Sequence, residues 1–256
     1  MYDPSIARWH VQDRFAEKFI NTSPYNYALN NPISNIDING DTTYRFDNDG
    51  VYLGMYDLDQ QGIRGSVGHN KTYTDKDGNE QSMFISDMCF GFNDPNVDKE
   101  QLNLMEVGKQ GLQIVTDENI NDIMNSSNIE DKSFLGRWLF AATESGSGRD
   151  LGNGNKMDFG ILYLGGQSGG GEKDTYGGFF IFGDHPVAYN SMDGGNWLWG
   201  QGMKRLGFDY SSAQLASQAN EKFKDSKADQ RAIVTGYHYV VKANNAVTFT
   251  LKNVKF

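Results

Sequence analysis

The chain has 256 residues and a single cysteine, Cys89. That excludes an internal disulfide framework and any zinc site built from several thiolates. Histidine is nearly as scarce, at four: His10, His69, His185 and His238. Basic charge is in deficit, with 23 Lys and Arg against 33 Asp and Glu, for a formal net charge of −10. A stable nucleic-acid partner is therefore not expected, because phosphate neutralisation dominates such binding. A nuclease stays open, since it needs only a local basic patch. No apolar run approaches the ~18 residues of a membrane span. Asp3, Arg8, Asp13, Arg14, Glu17 and Lys18 break up the first twenty residues, so no signal-peptide core is visible. Export, if it occurs, is expected to depend on a carrier.

What is abundant is glycine, at 30 residues, together with 16 Phe, 13 Tyr and 4 Trp. The aromatics supply enough apolar area for a packed core. So much glycine argues for a turn-rich α+β chain and against a helical bundle.

Residues 1–41 differ from the rest. Three of the five prolines fall here, among aromatic and amide side chains with no periodic apolar face. Tyr2-Asp3-Pro4 reads as a turn and residues 13–19 as a short helix. Beyond them, Asp47-Asn48-Asp49-Gly50 and Asp75-Lys76-Asp77-Gly78 each sit between short apolar runs. Both read as hairpin turns in which glycine supplies a positive φ. A small antiparallel meander over 42–92 is expected, then a polar connection over 93–110. Helices are expected over 116–143, with Thr116 as cap, from 194 to Gly207, from Ser211 or Ser212 to Phe223, and over 228–235. Residues 157–164 and 178–188 read as strands. Residues 237–242 and 247–252 read as a closing hairpin or, for the first limb, as more helix.

Tyr2-Asp3-Pro4, Arg8-Trp9, Ser23-Pro24-Tyr25-Asn26-Tyr27 and Asn30-Asn31-Pro32-Ile33, closing on Ile36-Asp37 and Gly40, resemble the terminal motif of the Rhs repeat-associated core domain. The resemblance implies that residues 1–41 are the end of a YD-repeat shell and that 42–256 are its variable toxin or effector domain, with a β-rich part at 42–92 and a mixed part at 93–256. Asp13, Asp37 and Gly40 match the family's cleavage motifs, but Arg14 and Ile38 stand where prolines are usual and Asp41 where an apolar residue is usual. The expectation is an uncleaved tail that acts as a plug or docking strip. Lys156-Met157-Asp158-Phe159 and Asp193-Gly194-Gly195-Asn196-Trp197-Leu198-Trp199-Gly200 resemble bacterial polymorphic toxin type 44 domains. There Asp158, Asn196 and Gly200 match recurrent positions.

Few residues offer chemistry. His185 follows the apolar run Phe179-Phe180-Ile181-Phe182 and precedes Pro186, at a strand end where functional groups often sit. Its imidazole suits general acid–base work near neutral pH. Asp158 lies among apolar neighbours, a costly place for an unpaired carboxylate. It is a candidate acid–base group or, alternatively, a turn or cap. Asn196 can stabilise an oxyanion or simply cap a helix. These three form the candidate catalytic set. Glu144 and Arg149 are possible cleft residues, and Trp197 and Trp199 core or cleft wall. Gly165 to Gly171 lacks the lysine of a P-loop and reads as a mobile loop. The Asp-Gly stretches lack the glutamate and flanking helices of an EF-hand, so turn chemistry accounts for them. No cofactor or metal is assigned.

The reading is an effector of interbacterial competition, secreted or delivered through a carrier. Its expected partners are a cognate immunity protein and an Rhs shell or secretion apparatus. Its chemistry is that of a hydrolase of a cell-wall or other polymer. A non-catalytic adaptor module and a nuclease-type toxin are the alternatives. A cleft joining Asp158, His185 and Asn196 favours the enzyme; their dispersal favours the module.

Overall fold

The computed structural model describes residues 2–3, 8–9, 42–56, 62–127, 133, 136–137, 159–165, 178–220 and 226–242. The fold is α+β, with both parallel and antiparallel strand pairing. The chain divides into two compact units, one of residues 1–90 with 106–108, the other of 91–105 with 109–256.

The first unit is built on strands. β1 (Tyr2–Asp3) pairs with β2 (Arg8–Trp9) in antiparallel register, Tyr2 opposite Trp9, where a turn is expected from sequence. β3 (Thr42–Phe46) and β4 (Tyr52–Tyr56) form the first expected hairpin, and Gly50 has φ 79°. Asp47 Oδ1 accepts from the backbone N–H of Asp49 and of Val51, at 2.9 and 2.8 Å. β5 (Ile63–Thr74) and β6 (Glu80–Phe92) form the second, and Asp75 Oδ1 accepts from Asp77 and Asn79 N–H groups at 3.0 and 2.8 Å. These aspartates close turns in the manner their spacing implies.

The four strands are not a meander. β3 pairs with β5 in parallel, Thr42 opposite Ile63, so the order is β4-β3-β5-β6. Alternation puts Tyr44, Phe46, Tyr52, Val67 and Phe90 inside. Gly65 faces Phe90 across the ladder, and a Cβ there would fall 2.0 Å from the Phe90 ring. His69 lies on β5, its Nδ1 2.9 Å from Asp87 Oδ2. Cys89 is half-buried on β6, 3.4 Å from the Ser86 hydroxyl.

The second unit begins at the end of β6. Gly91 and Phe92 pair in parallel with β9 (Val187–Asn190), β9 is antiparallel to β8 (Phe179–Phe182), and β8 is parallel to β7 (Leu112–Val115). The expected single strand over 178–188 is thus two strands with a turn at 183–186. The expected polar connection at 93–110 contains α1 (Pro95–Asn103), capped by Asp94 with proline at the first turn. α2 (Asp117–Ser126) carries the Thr116–Asn119 capping box, and most of the remaining expected helical stretch, 128–143, lies outside the described residues. Residues 159–164, expected as strand, form the short helix α3 (Phe159–Leu164); six apolar-rich residues give no period that tells the two apart.

α4 (Ser191–Arg205) is capped by Asn190, which accepts from Met192 and Asp193 N–H groups. α5 (Tyr210–Asn220) starts on Asp209, whose Oδ1 accepts from Ser212 N–H at 2.8 Å, so the cap is the aspartate and not a serine. α6 (Lys227–His238) opens with a Ser226–Asp229 capping box and takes in the first residues of the expected closing hairpin. α4 is buried on nearly every face, with Trp197, Leu198, Trp199 and Met203 each at 0% exposure. It lies against α6 through glycine: a Cβ on Gly236 would sit 1.9 Å from the Trp197 carbonyl oxygen, and one on Gly200 2.4 Å from that of Ile233. Gly200, singled out by the toxin type 44 resemblance, therefore has a packing role.

Candidate functional site

The polar groups of the second unit gather at the two ends of β9. At its start, the turn between β8 and β9 carries Asp184 and His185. Gly183 has φ 58°, and its N–H donates to the Val115 carbonyl at 2.8 Å. His185 N–H donates to the Phe182 carbonyl, and its own carbonyl accepts from Val187 N–H at 2.7 Å. This turn lies at the carboxyl ends of the parallel strands β7 and β8, the edge where open α/β sheets place their ligands. The His185 Nδ1 is buried and has no hydrogen-bond partner among the described residues.

The segment that follows α6 crosses this end. The Tyr239 hydroxyl donates to Asp117 Oδ1, at the first turn of α2, at 2.9 Å, and accepts from the Asp184 N–H. Burial and the Asp117 carboxylate push that phenol well above its ordinary range. Lys242 Nζ pairs with Asp184 Oδ2 at 2.5 Å in solvent, both side chains more than half exposed, and holds the Asp184 carboxyl below its usual value. The Tyr239 carbonyl accepts from Gln201 Nε2 at 2.8 Å and from Lys204 Nζ at 3.1 Å, both on α4. The Tyr239 ring lies 5.3 Å from that of Trp197, which stacks on Phe182 at 4.2 Å. The imidazole therefore sits on a turn fixed from both sides.

The other end of β9 is buried. Asp98 on α1, Asp193 on α4 and Asp229 on α6 each occupy a helix's first turn, where acidic residues complement the N-terminal dipole. Here the amides hold the acids. Asn93 Nδ2 donates to Asp193 Oδ2 at 2.7 Å and to the Ala228 carbonyl at 3.0 Å. Asn190 Nδ2 donates to Asp98 Oδ1 at 2.9 Å and more weakly to Asp193 Oδ2 at 3.3 Å. Asn196 Nδ2 donates to Asp229 Oδ1 at 2.9 Å. Asp98 is 0% exposed and Asp193 5%. Burial raises Asp98 to about 7 despite its amide bond, and raises Asp193 to about 8 with help from the neighbouring acids.

Of the sequence-derived set, His185 stands before β9 and Asn196 after it. A strand of four residues, on the order of 10 Å long, separates them. Asn196 neither caps α4 nor meets His185; it positions Asp229. Asp158, Glu144, Arg149 and His10 lie outside the described residues. Trp197 and Trp199 belong to the core. The buried acids went unread in the sequence. Asp94-Pro95, Asn190-x-x-Asp193 and Ser226-x-x-Asp229 each mark a helix start, but nothing local says that the three starts meet. Among the described residues no group of acidic, histidine and cysteine side chains is arranged to hold a metal ion, and no helix is long and apolar enough to cross a membrane. Comparison of the chain with protein-family models, with curated proteins and with solved structures finds no match.

Proposed function

We propose that the chain is the effector end of an Rhs-type polymorphic toxin, delivered through a carrier, and that it hydrolyses a cell-wall or other polymer from the His185 end of β9. The motifs of the first 41 residues support the toxin context. One observation carries the chemistry: a buried imidazole nitrogen without a partner among the described residues, on a strand-end turn held by backbone hydrogen bonds and by Tyr239. Such an unsatisfied group costs about 1–3 kcal/mol, and use in function is one reason for a native structure to retain it. In this reading His185 takes the proton from the attacking water and returns it to the leaving group. Asp158 is the carboxylate proposed to orient the imidazole, and the cognate partner is an immunity protein with a basic face, complementary to the net charge of −10.

The test is expression in a sensitive bacterium, directed once to the cytoplasm and once to the periplasm, as the parent chain and as His185→Ala. Toxicity in the periplasm alone, abolished by the substitution, is expected. Toxicity in the cytoplasm alone supports the nuclease-type alternative. A second reading, a non-catalytic module that holds a partner, is favoured by the separation of Asn196 from His185. It predicts no toxicity in either compartment.

A further inference from the structure

The two ring nitrogens of His185 stand in different surroundings. Nδ1 is buried and meets no partner among the described residues, whereas Nε2 is not closed off in this way. A neutral imidazole carries one proton, and the partners of the two nitrogens decide which of them holds it. A proton on buried Nδ1 needs an acceptor, but the oxygens on the turn and against it are engaged elsewhere. The Phe182 carbonyl accepts from His185 N–H at 3.3 Å, the His185 carbonyl from Val187 N–H at 2.7 Å, and the Pro186 carbonyl from Gly91 N–H at 3.0 Å. Asp184 Oδ2 accepts from Lys242, and Asp117 Oδ1 from the Tyr239 hydroxyl. The Tyr239 carbonyl accepts from Gln201 and Lys204. A buried N–H without an acceptor is tolerated less often than an under-satisfied acceptor, as protein backbones show. We infer that resting His185 holds its proton on Nε2, so that the turn offers a hydrogen-bond donor to a substrate oxygen, and that the imidazole serves as a base only after an acceptor is brought to Nδ1. The second half rests on the hydrolase reading; the resting tautomer does not.

The chemical consequence concerns a lone pair. Taking a proton from water at Nε2 needs a lone pair there. In the resting form that lone pair is on Nδ1, behind protein. A neutral Nε2–H can polarise an oxygen by hydrogen bonding, but giving its proton away would leave an imidazolate. An acceptor at Nδ1 changes this. Nε2 then loses its proton to water, while Nδ1 takes one up from water and donates it to the acceptor. Protons and charge balance, and the lone pair now faces the substrate. The site thus meets its polymer first as a donor and stays idle as a base until Nδ1 is partnered.

His69 supplies the opposite case in the same chain. Its Nδ1 lies 2.9 Å from Asp87 Oδ2. An ionised carboxylate only accepts, so here Nδ1 carries the proton and the neutral ring keeps its lone pair on Nε2.

Long-range proton–nitrogen correlation NMR of the intact chain, isotope-labelled in its histidine nitrogens, reads both rings in mildly alkaline solution, where imidazoles are neutral. A bare ring nitrogen resonates far downfield of a protonated one, and the couplings to the ring protons tell Nδ1 from Nε2. The His185 signals are those lost in His185→Gln or, if that variant does not fold, those connected through bonds to the His185 backbone. The His69 signals are those shifted in Asp87→Asn. His185 should show a bare Nδ1 and a protonated Nε2, and His69 the reverse. A protonated Nδ1 at His185, or the averaged shifts of two exchanging tautomers, overturns the proposal. Toxicity of His185→Ala separates the two ideas. A harmless variant beside a protonated Nδ1 keeps the hydrolase and removes the resting tautomer; a toxic one beside a bare Nδ1 keeps the tautomer and removes the hydrolase, and with it the base role.

Discussion

The two ends of β9 use the same residue types in opposite ways. At the His185 end, Asp184 lies in solvent opposite Lys242 and stays ionised. At the Asp193 end, Asp193 and Asp98 are buried among amides, and burial raises both, Asp98 to about 7 and Asp193 to about 8. Exposed pairs contribute little to stability, and their groups are free to meet a substrate. Buried acids fix helices together and are exposed to pH instead. The lesson is that the more elaborate cluster is not automatically the reactive one: the Asn93, Asn190 and Asn196 amides at the buried end are all engaged, while an imidazole nitrogen with no partner among the described residues lies at the other.

The comparison can be broken most forcefully through the element that both ends share. Gly236→Ala places a methyl group where the Trp197 carbonyl oxygen is only 1.9 Å away. Urea denaturation should show a loss of about 3 kcal/mol or more, because backbone cannot move aside as a side chain can. Asn190→Ala strikes the buried end alone. It removes the cap of α4 and the donor to Asp98, and should cost about 2–4 kcal/mol in the same assay.

Titration sharpens the contrast. The stability of the parent chain should fall between about pH 4 and about 8, as Asp98 and Asp193 lose the protons they hold only when folded. In Asp193→Asn the fall should shrink. An equal fall in the two proteins would mean that other groups set the pH dependence. The smallest effect belongs to the exposed end. Asp184→Asn should leave the melting temperature nearly unchanged, since its partner Lys242 is equally wet. A clear drop would show that the segment carrying Tyr239 and Lys242 depends on that ion pair.

Much of the framework was legible because it is local. The Asp-Gly turns, the Thr116 cap and the stop at Gly207 are written in adjacent residues, and each forms as read. What escaped was decided at a distance. The parallel pairing of β3 with β5 depends on which strand takes the free edge of β3, which no turn specifies. β7 is four residues long, too short for a period, even though Gly111 precedes it. α1 was hidden because Asp94-Pro95 marks turns as readily as helix starts. The candidate site divides along the same line. His185 stood out because a strand end and a proline frame it. The contact of Asn196 with Asp229 spans 33 residues, and that of Asn93 with Asp193 spans 100. Such pairs become visible only when helix starts are brought together in space.

The central claim is that reactivity belongs to the His185 end of β9 and that the Asp193 end holds the helices together. Growth inhibition by His185→Ala and by Asp193→Asn, induced side by side at pH 7 in the compartment where the parent chain is toxic, tests it most directly. The account predicts that the first variant is folded and harmless and that the second is as toxic as the parent. A folded His185→Ala that still kills, beside an Asp193→Asn that does not, would contradict it.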